Sequence, residues 1–199
     1  MKKVTKLLGV FLSAAFVALV ASCSGNSKTN NSDTTETSSA NSDSKILVAY
    51  YSATGTTAKE AGKIADVTGG TLYEIQPVTP YTDADLDYEN EQSRSTVEQK
   101  DSTSRPEIKT GLDIAPYETV YLGFPVWWYD APRVIYTFLD SYDFSGKKIV
   151  VFATAHSSTL QSSFDALKKA YPQYNLVEGD IYNMSNKTGF DNWVESLKK

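Results

Sequence analysis

Three apolar runs constrain this chain more than any other feature. Residues 46–50 read ILVAY, residues 119–124 TVYLGF and residues 148–153 KIVVFA. None has the in–out alternation of a strand with one wet face. Near-continuous apolar strands of this kind belong to a parallel sheet buried on both sides. The segments that follow them carry helical spacing: Ala58, Ala61, Ile64 and Ala65, then Ile135, Phe138, Leu139 and Tyr142, then Leu160, Phe164, Leu167 and Tyr171. Pro132 opens the second of these helices, since proline is tolerated in a first turn. Gly69-Gly70 and Gly146 punctuate the pattern. Weaker strands are expected at 71–75 and 176–181, with a short last helix around Trp193, Val194 and Leu197. Strands alternating with helices predict an α/β fold, a doubly wound open parallel sheet. With strand order 2-1-3-4-5, a ligand meets the loops after strands one, three and four.

The domain does not begin at Met1. Residues 1–22 have a basic start, an apolar stretch and small residues at the end, the pattern of a secretory signal. The apolar stretch, 7–21, is short against the roughly 20 residues of a membrane span. Val20-Ala21-Ser22-Cys23 resembles the lipobox of bacterial lipoproteins, which implies lipidation of Cys23; a plain signal with an incidental Cys is the other reading. Residues 23–44 are nearly devoid of apolar side chains and read as a disordered tether. Residues 45–199 then form one domain, expected in the cell envelope and touching the membrane through a lipid anchor only.

Composition narrows the chemistry. Cys23 is the one cysteine and His156 the one histidine, so no His/Cys zinc site is expected, and no metal. Without residues 1–22 the chain holds 16 Lys+Arg against 24 Asp+Glu, and its net charge goes from −5 to −8. Such a body does not suit nucleic acid. It suits a partner with a basic contact surface, or serves solubility. The signal lacks a twin arginine, so export of a folded, cofactor-loaded chain is not indicated. Any cofactor would be acquired outside the cytoplasm, where NAD(P)H is not expected. There is no Gly-x-Ser-x-Gly elbow and no acid–base pair to act as catalytic residues.

Three loops carry the candidate site. The first, 51–57, holds Ser52, Thr54, Gly55, Thr56 and Thr57 at the start of a helix. Backbone N–H groups and the helix dipole favour an anion there, and the hydroxyls add donors. It has neither P-loop nor Gly-x-Gly-x-x-Gly spacing. A phosphate site and a well-capped helix are both open readings. The second loop, 123–132, presents Pro125, Val126, Trp127, Trp128 and Tyr129, fit to stack on a flat ring or to close the core. The third is 154–159, TAHSST. Between strands two and three, residues 76–111 form a long polar excursion expected to hold a helix within 83–100, as a lid or as a solvated cover for the sheet.

YYSATGTT, GFPVWWYDAP and YDFSGKKIVVFAT, in this order, resemble the flavodoxin family, in the branch with a segment like PYTDADLDYENEQSRSTVE before SRPEI. The resemblance spans nearly all of 45–199. It implies a flavodoxin-like fold binding FMN, with Ser52, Thr54, Gly55, Thr56 and Thr57 at the phosphate. Pro125, Val126, Trp127 and Trp128 would lie along the isoalloxazine ring. It implies electron transfer with a redox partner protein or a quinone; a flavin-dependent quinone or NAD(P)H reductase is the enzymatic alternative. This branch commonly has a glycine-rich turn after strand four, where this chain has Ala155-His156-Ser157-Ser158-Thr159. Either His156 meets the N1/O2 edge of the flavin and favours the reduced ring, or it is an exposed residue of a helix N-terminal turn. The departure also leaves room for a binding lipoprotein that has lost tight FMN binding.

Overall fold

The computed structural model describes residues 44–198. The expected signal peptide (1–22), the expected lipidation at Cys23 and the expected tether up to residue 43 lie outside the described residues. The strands are β1 (Ile46–Tyr50), β2 (Thr71–Glu74), β3 (Thr119–Pro125), β4 (Lys148–Thr154) and β5 (Asn175–Tyr182). They form one parallel sheet in the order β2-β1-β3-β4-β5. The helices are α1 (Thr56–Thr68), α2 (Arg94–Lys100), α3 (Arg133–Ser141), α4 (Gln161–Ala170) and α5 (Lys187–Glu195). Among the described residues no helix is long and apolar enough to cross a membrane.

The apolar runs are continuous because both sheet faces are covered. Leu47, Leu122 and Val151 pack with Ile135 and Phe138 of α3 and with Leu167 of α4. Val48, Val150 and Phe152 pack on the other face with Ile64 of α1 and Phe190 of α5. Burying such a side chain contributes about 1.5–3 kcal/mol. Gly123 belongs to the second face. A Cβ there would stand 2.1 Å from the Phe152 ring, so the glycine makes the room that this phenyl fills.

Two elements extend past their apolar signal. Strand β5 runs from Asn175 to Tyr182 at the sheet edge, with a register shift against β4 between Val151 and Ala153. Helix α5 starts at Lys187 and buries Phe190, well before Trp193 and Val194. The β2–β3 excursion contains a 3-10 turn, Ala84–Leu86, and then α2, whose N-cap Ser93 accepts a hydrogen bond from the Thr96 N–H. Its two ends clasp each other: Val78 N–H donates to Glu107 O at 2.9 Å and Lys109 N–H to Gln76 O at 2.8 Å. Arg105 then fastens it to α3 through Asp140, 2.6 Å away.

Candidate functional site

Strand register brings the three loops to one end of the sheet, with Tyr50 opposite Gly123 and Pro125 opposite Thr154. At the end of β1, Gly55 takes φ +89 as the N-cap of α1, and no side chain caps the helix. A left-handed residue at that point is what a glycine supplies without strain. Ser52 Oγ accepts from Gly55 N–H at 3.0 Å, which leaves the serine proton free to donate. The first helical bond is Lys59 N–H to Gly55 O at 3.0 Å. The N–H groups of Ser52, Ala53, Thr54, Thr56, Thr57 and Ala58 therefore have no partner among the described residues. Thr54 and Thr56 are exposed. Thr57 differs: it is buried, and its Oγ1 lies 2.8 Å from Thr154 Oγ1, so its hydroxyl ties the loop to β4 and its N–H is what it presents. The cradle holds many donors and no cation, which fits a phosphate monoester.

After β3 the chain makes a two-residue hairpin turn. Trp127 N–H donates to Asp130 O and Asp130 N–H to Trp127 O, each at 2.9 Å. Trp128 and Tyr129 both have positive φ, 47 and 64. That is the pattern of a type I′ turn, built here from two bulky residues in place of Asn and Gly. Contacts from three sides hold it. Gln99 of α2 donates from Nε2 to Trp127 O at 2.8 Å, and Ser163 of α4 donates to Tyr129 O at 3.3 Å. Asp130 accepts from Ala131 N–H and Tyr136 OH, each at 2.7 Å, and pairs with Arg133 at 3.2 Å. Trp127 is half-buried, edge-on to Tyr51 and Tyr81 at 5.7 and 5.3 Å between ring centroids. Trp128 and Tyr129 are exposed.

The third loop resolves the missing glycines. Among the described residues the only non-glycine positions at positive φ are Trp128 and Tyr129, so no backbone angle in 155–159 calls for a glycine. Its carbonyls are held from the β5 side, His156 O by Met184 N–H at 3.2 Å and Ser158 O by Asn183 Nδ2 at 3.0 Å. The N–H groups of His156, Ser157, Ser158 and Thr159 have no partner among the described residues. His156 is exposed.

Between the loops lies a cleft of about 770 Å³. Ala53, Thr54, Pro125, Val126, Trp127, Trp128 and the stretch Ala155 to Ser158 line it, as do Leu86, Tyr88 and Ser95 of the excursion. The excursion is thus one wall of the cleft. The lid expected of it is this wall, but Leu86, Tyr88 and Ser95 carry no motif in the sequence. Ser52, Gly55, Thr56 and Thr57 lie on the adjoining turn and outside the lining; Ser52 faces a second hollow of about 310 Å³ between this turn and Glu74, Gln76, Tyr81 and Lys109. No carboxylate, lysine or arginine lines the cleft. Beneath it, burial raises the phenol pKa of Tyr51. Burial, then the hydrogen bond to Glu98, does the same for Tyr81.

A family model described as Flavodoxin matches residues 45–197. Among solved structures the chain is similar to a candidate flavoprotein of Bacteroides eggerthii at 45% identity and TM-score 0.71, over 76% of this chain and 96% of that one. A candidate flavoprotein of Bacteroides uniformis is similar at 46% and TM-score 0.71, over 75% and 97%. A Lactobacillus acidophilus flavoprotein in complex with FMN shares the fold at 22% identity and TM-score 0.58, over 74% and 97%. Among curated proteins none is significantly similar.

Proposed function

The chain belongs to the flavodoxin family, and from that premise we propose that it binds FMN and carries electrons at the cell envelope, tethered through a lipidated Cys23. The observation that carries the reading is the cation-free run of unpartnered N–H groups at the start of α1, opening on an uncharged aromatic cleft. The Lactobacillus protein of the same fold, in complex with FMN, supports it. The phosphate is held by the N–H groups of the β1–α1 turn and the hydroxyls of Ser52, Thr54 and Thr56. The ring lies along Pro125, Val126, Trp127 and Trp128, with the N–H groups of 156–159 and the His156 side chain at its polar edge. Bound FMN supplies reversible uptake and release of electrons. The protein orients the ring, shields it from water with Trp128 and Tyr129, and leaves the cleft mouth open to a redox partner, a protein with a basic contact surface or a quinone.

The uncharged lining favours one enzymatic reading, reduction of a neutral quinone. A nicotinamide dinucleotide brings phosphates that call for cations or further N–H donors, and the lining offers no lysine or arginine. The FMN-loaded protein, reduced chemically without oxygen, is expected to be reoxidised on mixing with a water-soluble quinone, and the oxidised protein to stay oxidised on mixing with NADH. Rapid reduction by NADH would instead make it a nicotinamide-dependent reductase. A protein that does not retain FMN would be a binding lipoprotein.

A further inference from the structure

The wall contributed by the excursion holds a polar atom with no use inside the protein. Ser95 is 1% exposed, and its Oγ has no hydrogen-bond partner among the described residues. A buried serine commonly returns its proton to the carbonyl four residues back. Ser95 is the second residue of α2, so that position falls before the helix, and the cap hydroxyl of Ser93 already serves Thr96 N–H. An unsatisfied buried hydroxyl is costly and calls for a partner. Ser95 lines the cleft together with Ala53, Pro125, Val126 and Trp127.

Its position is fixed by the next turn of the same helix. Gln99 lies four residues on, hence on the same face. It donates from Nε2 to Trp127 O at 2.8 Å and to Ala131 O at 3.3 Å. Arg133 reinforces the contact by donating to Gln99 O at 2.9 Å. The helix is thereby clamped to the aromatic turn, with Ser95 in the cleft wall beside Trp127.

We propose that Ser95 is a ring-binding residue: its hydroxyl hydrogen-bonds to a carbonyl or ring nitrogen at the edge of the flat heteroaromatic ligand, an inference that rests on the FMN reading. A neutral hydroxyl both donates and accepts, which suits a neutral polar ring edge. The anionic end of the ligand has its own donors at the β1–α1 turn.

The test compares Ser95→Ala with the unaltered full-length protein, titrated with FMN and with riboflavin and followed by flavin fluorescence. Loss of one such hydrogen bond weakens binding about 5- to 30-fold. Both ligands are expected to weaken by the same factor, because the contact is to the ring. The urea midpoint of the flavin-free protein should hold or rise, since an unsatisfied hydroxyl is removed. Thr54→Val, which touches the phosphate end, should weaken FMN and spare riboflavin. Equal binding by Ser95→Ala and unaltered protein overturns the inference and leaves the FMN reading standing. Weakening of FMN alone, or a fall in flavin-free stability that matches the lost affinity, also overturns it. Failure of the unaltered protein to bind FMN overturns both.

Discussion

Trp128 and Tyr129 sit at φ 47 and 64, where a side chain crowds its own carbonyl. Each such residue costs roughly 1–2 kcal/mol. Strain of this kind gathers at ligand clamps, where the surroundings over-determine the backbone; here those surroundings are Gln99, Ser163 and the Asp130 carboxylate. Replacing the pair by Asn-Gly, which suits a type I′ turn, should raise the flavin-free stability by about 1 kcal/mol in urea unfolding. The same change should weaken FMN binding, since the aromatic cover is lost. At Gly123 the direction reverses. Gly123→Ala drives a methyl into the Phe152 ring, and should cost about 1–3 kcal/mol in the same assay, as overpacked cores do. The sequence showed the hydroxyls of the β1–α1 turn but not which of them face inward: Thr57 and Thr54 look alike until β4 supplies Thr154. Nor does WWYD carry any local sign of a type I′ turn, because the left-handed backbone is imposed by tertiary contacts.

At the scale of elements the excursion decides most. Its helix α2 props the aromatic turn, and buried Arg133 joins the two by donating to Glu98 O at 3.3 Å and Gln99 O at 2.9 Å while pairing with Asp130. Arg133→Met leaves Asp130 without its cation and should cost about 3–5 kcal/mol. Proteolysis should then cut first within 83–93. Three phenols close the same region: Tyr81 on Glu98, Tyr136 on Asp130 and Tyr171 on Asp140. Burial first, then the carboxylate partner, raises the pKa of Tyr81 and Tyr171, and burial and Asp130 raise that of Tyr136. A raised phenol pKa contributes stability that is fully present below the unfolded value of about 10. That stability is lost as the pH rises through the folded pKa. The urea midpoint should therefore be level up to about pH 10 and fall above it, with these phenolates appearing together with unfolding. A phenolate absorbance in still-folded protein that disappears on replacing Tyr81, Tyr136 or Tyr171 by Phe would contradict the assignment. Strands β1, β3 and β4 were legible because burial on both faces makes them continuous. Strand β5, expected at 176–181 and found at Asn175–Tyr182, was legible in spite of its alternation; the wall role of α2 was open only as a lid or a cover, because it rests on Ser95 and Gln99, two polar residues without a pattern.

For the whole molecule, one sheet gathers three loops at one end and a fourth segment walls them in. The family and the strand order expected from the sequence are the ones found. The glycine-poor loop after β4, which raised the prospect of lost flavin binding, keeps a run of free N–H groups at backbone angles that call for no glycine. The proposed tether makes its own prediction: Cys23→Ser should move the protein from the membrane fraction to the soluble fraction on fractionation, with the flavin domain still folded. The central claim is that this end of the sheet is a working FMN site. Titration of FMN into the flavin-free protein tests it most directly. Saturable quenching of flavin fluorescence is expected at one FMN per chain, with riboflavin bound more weakly because it brings no phosphate to the β1–α1 turn. No quenching at micromolar FMN, or equal affinity for riboflavin, would contradict it.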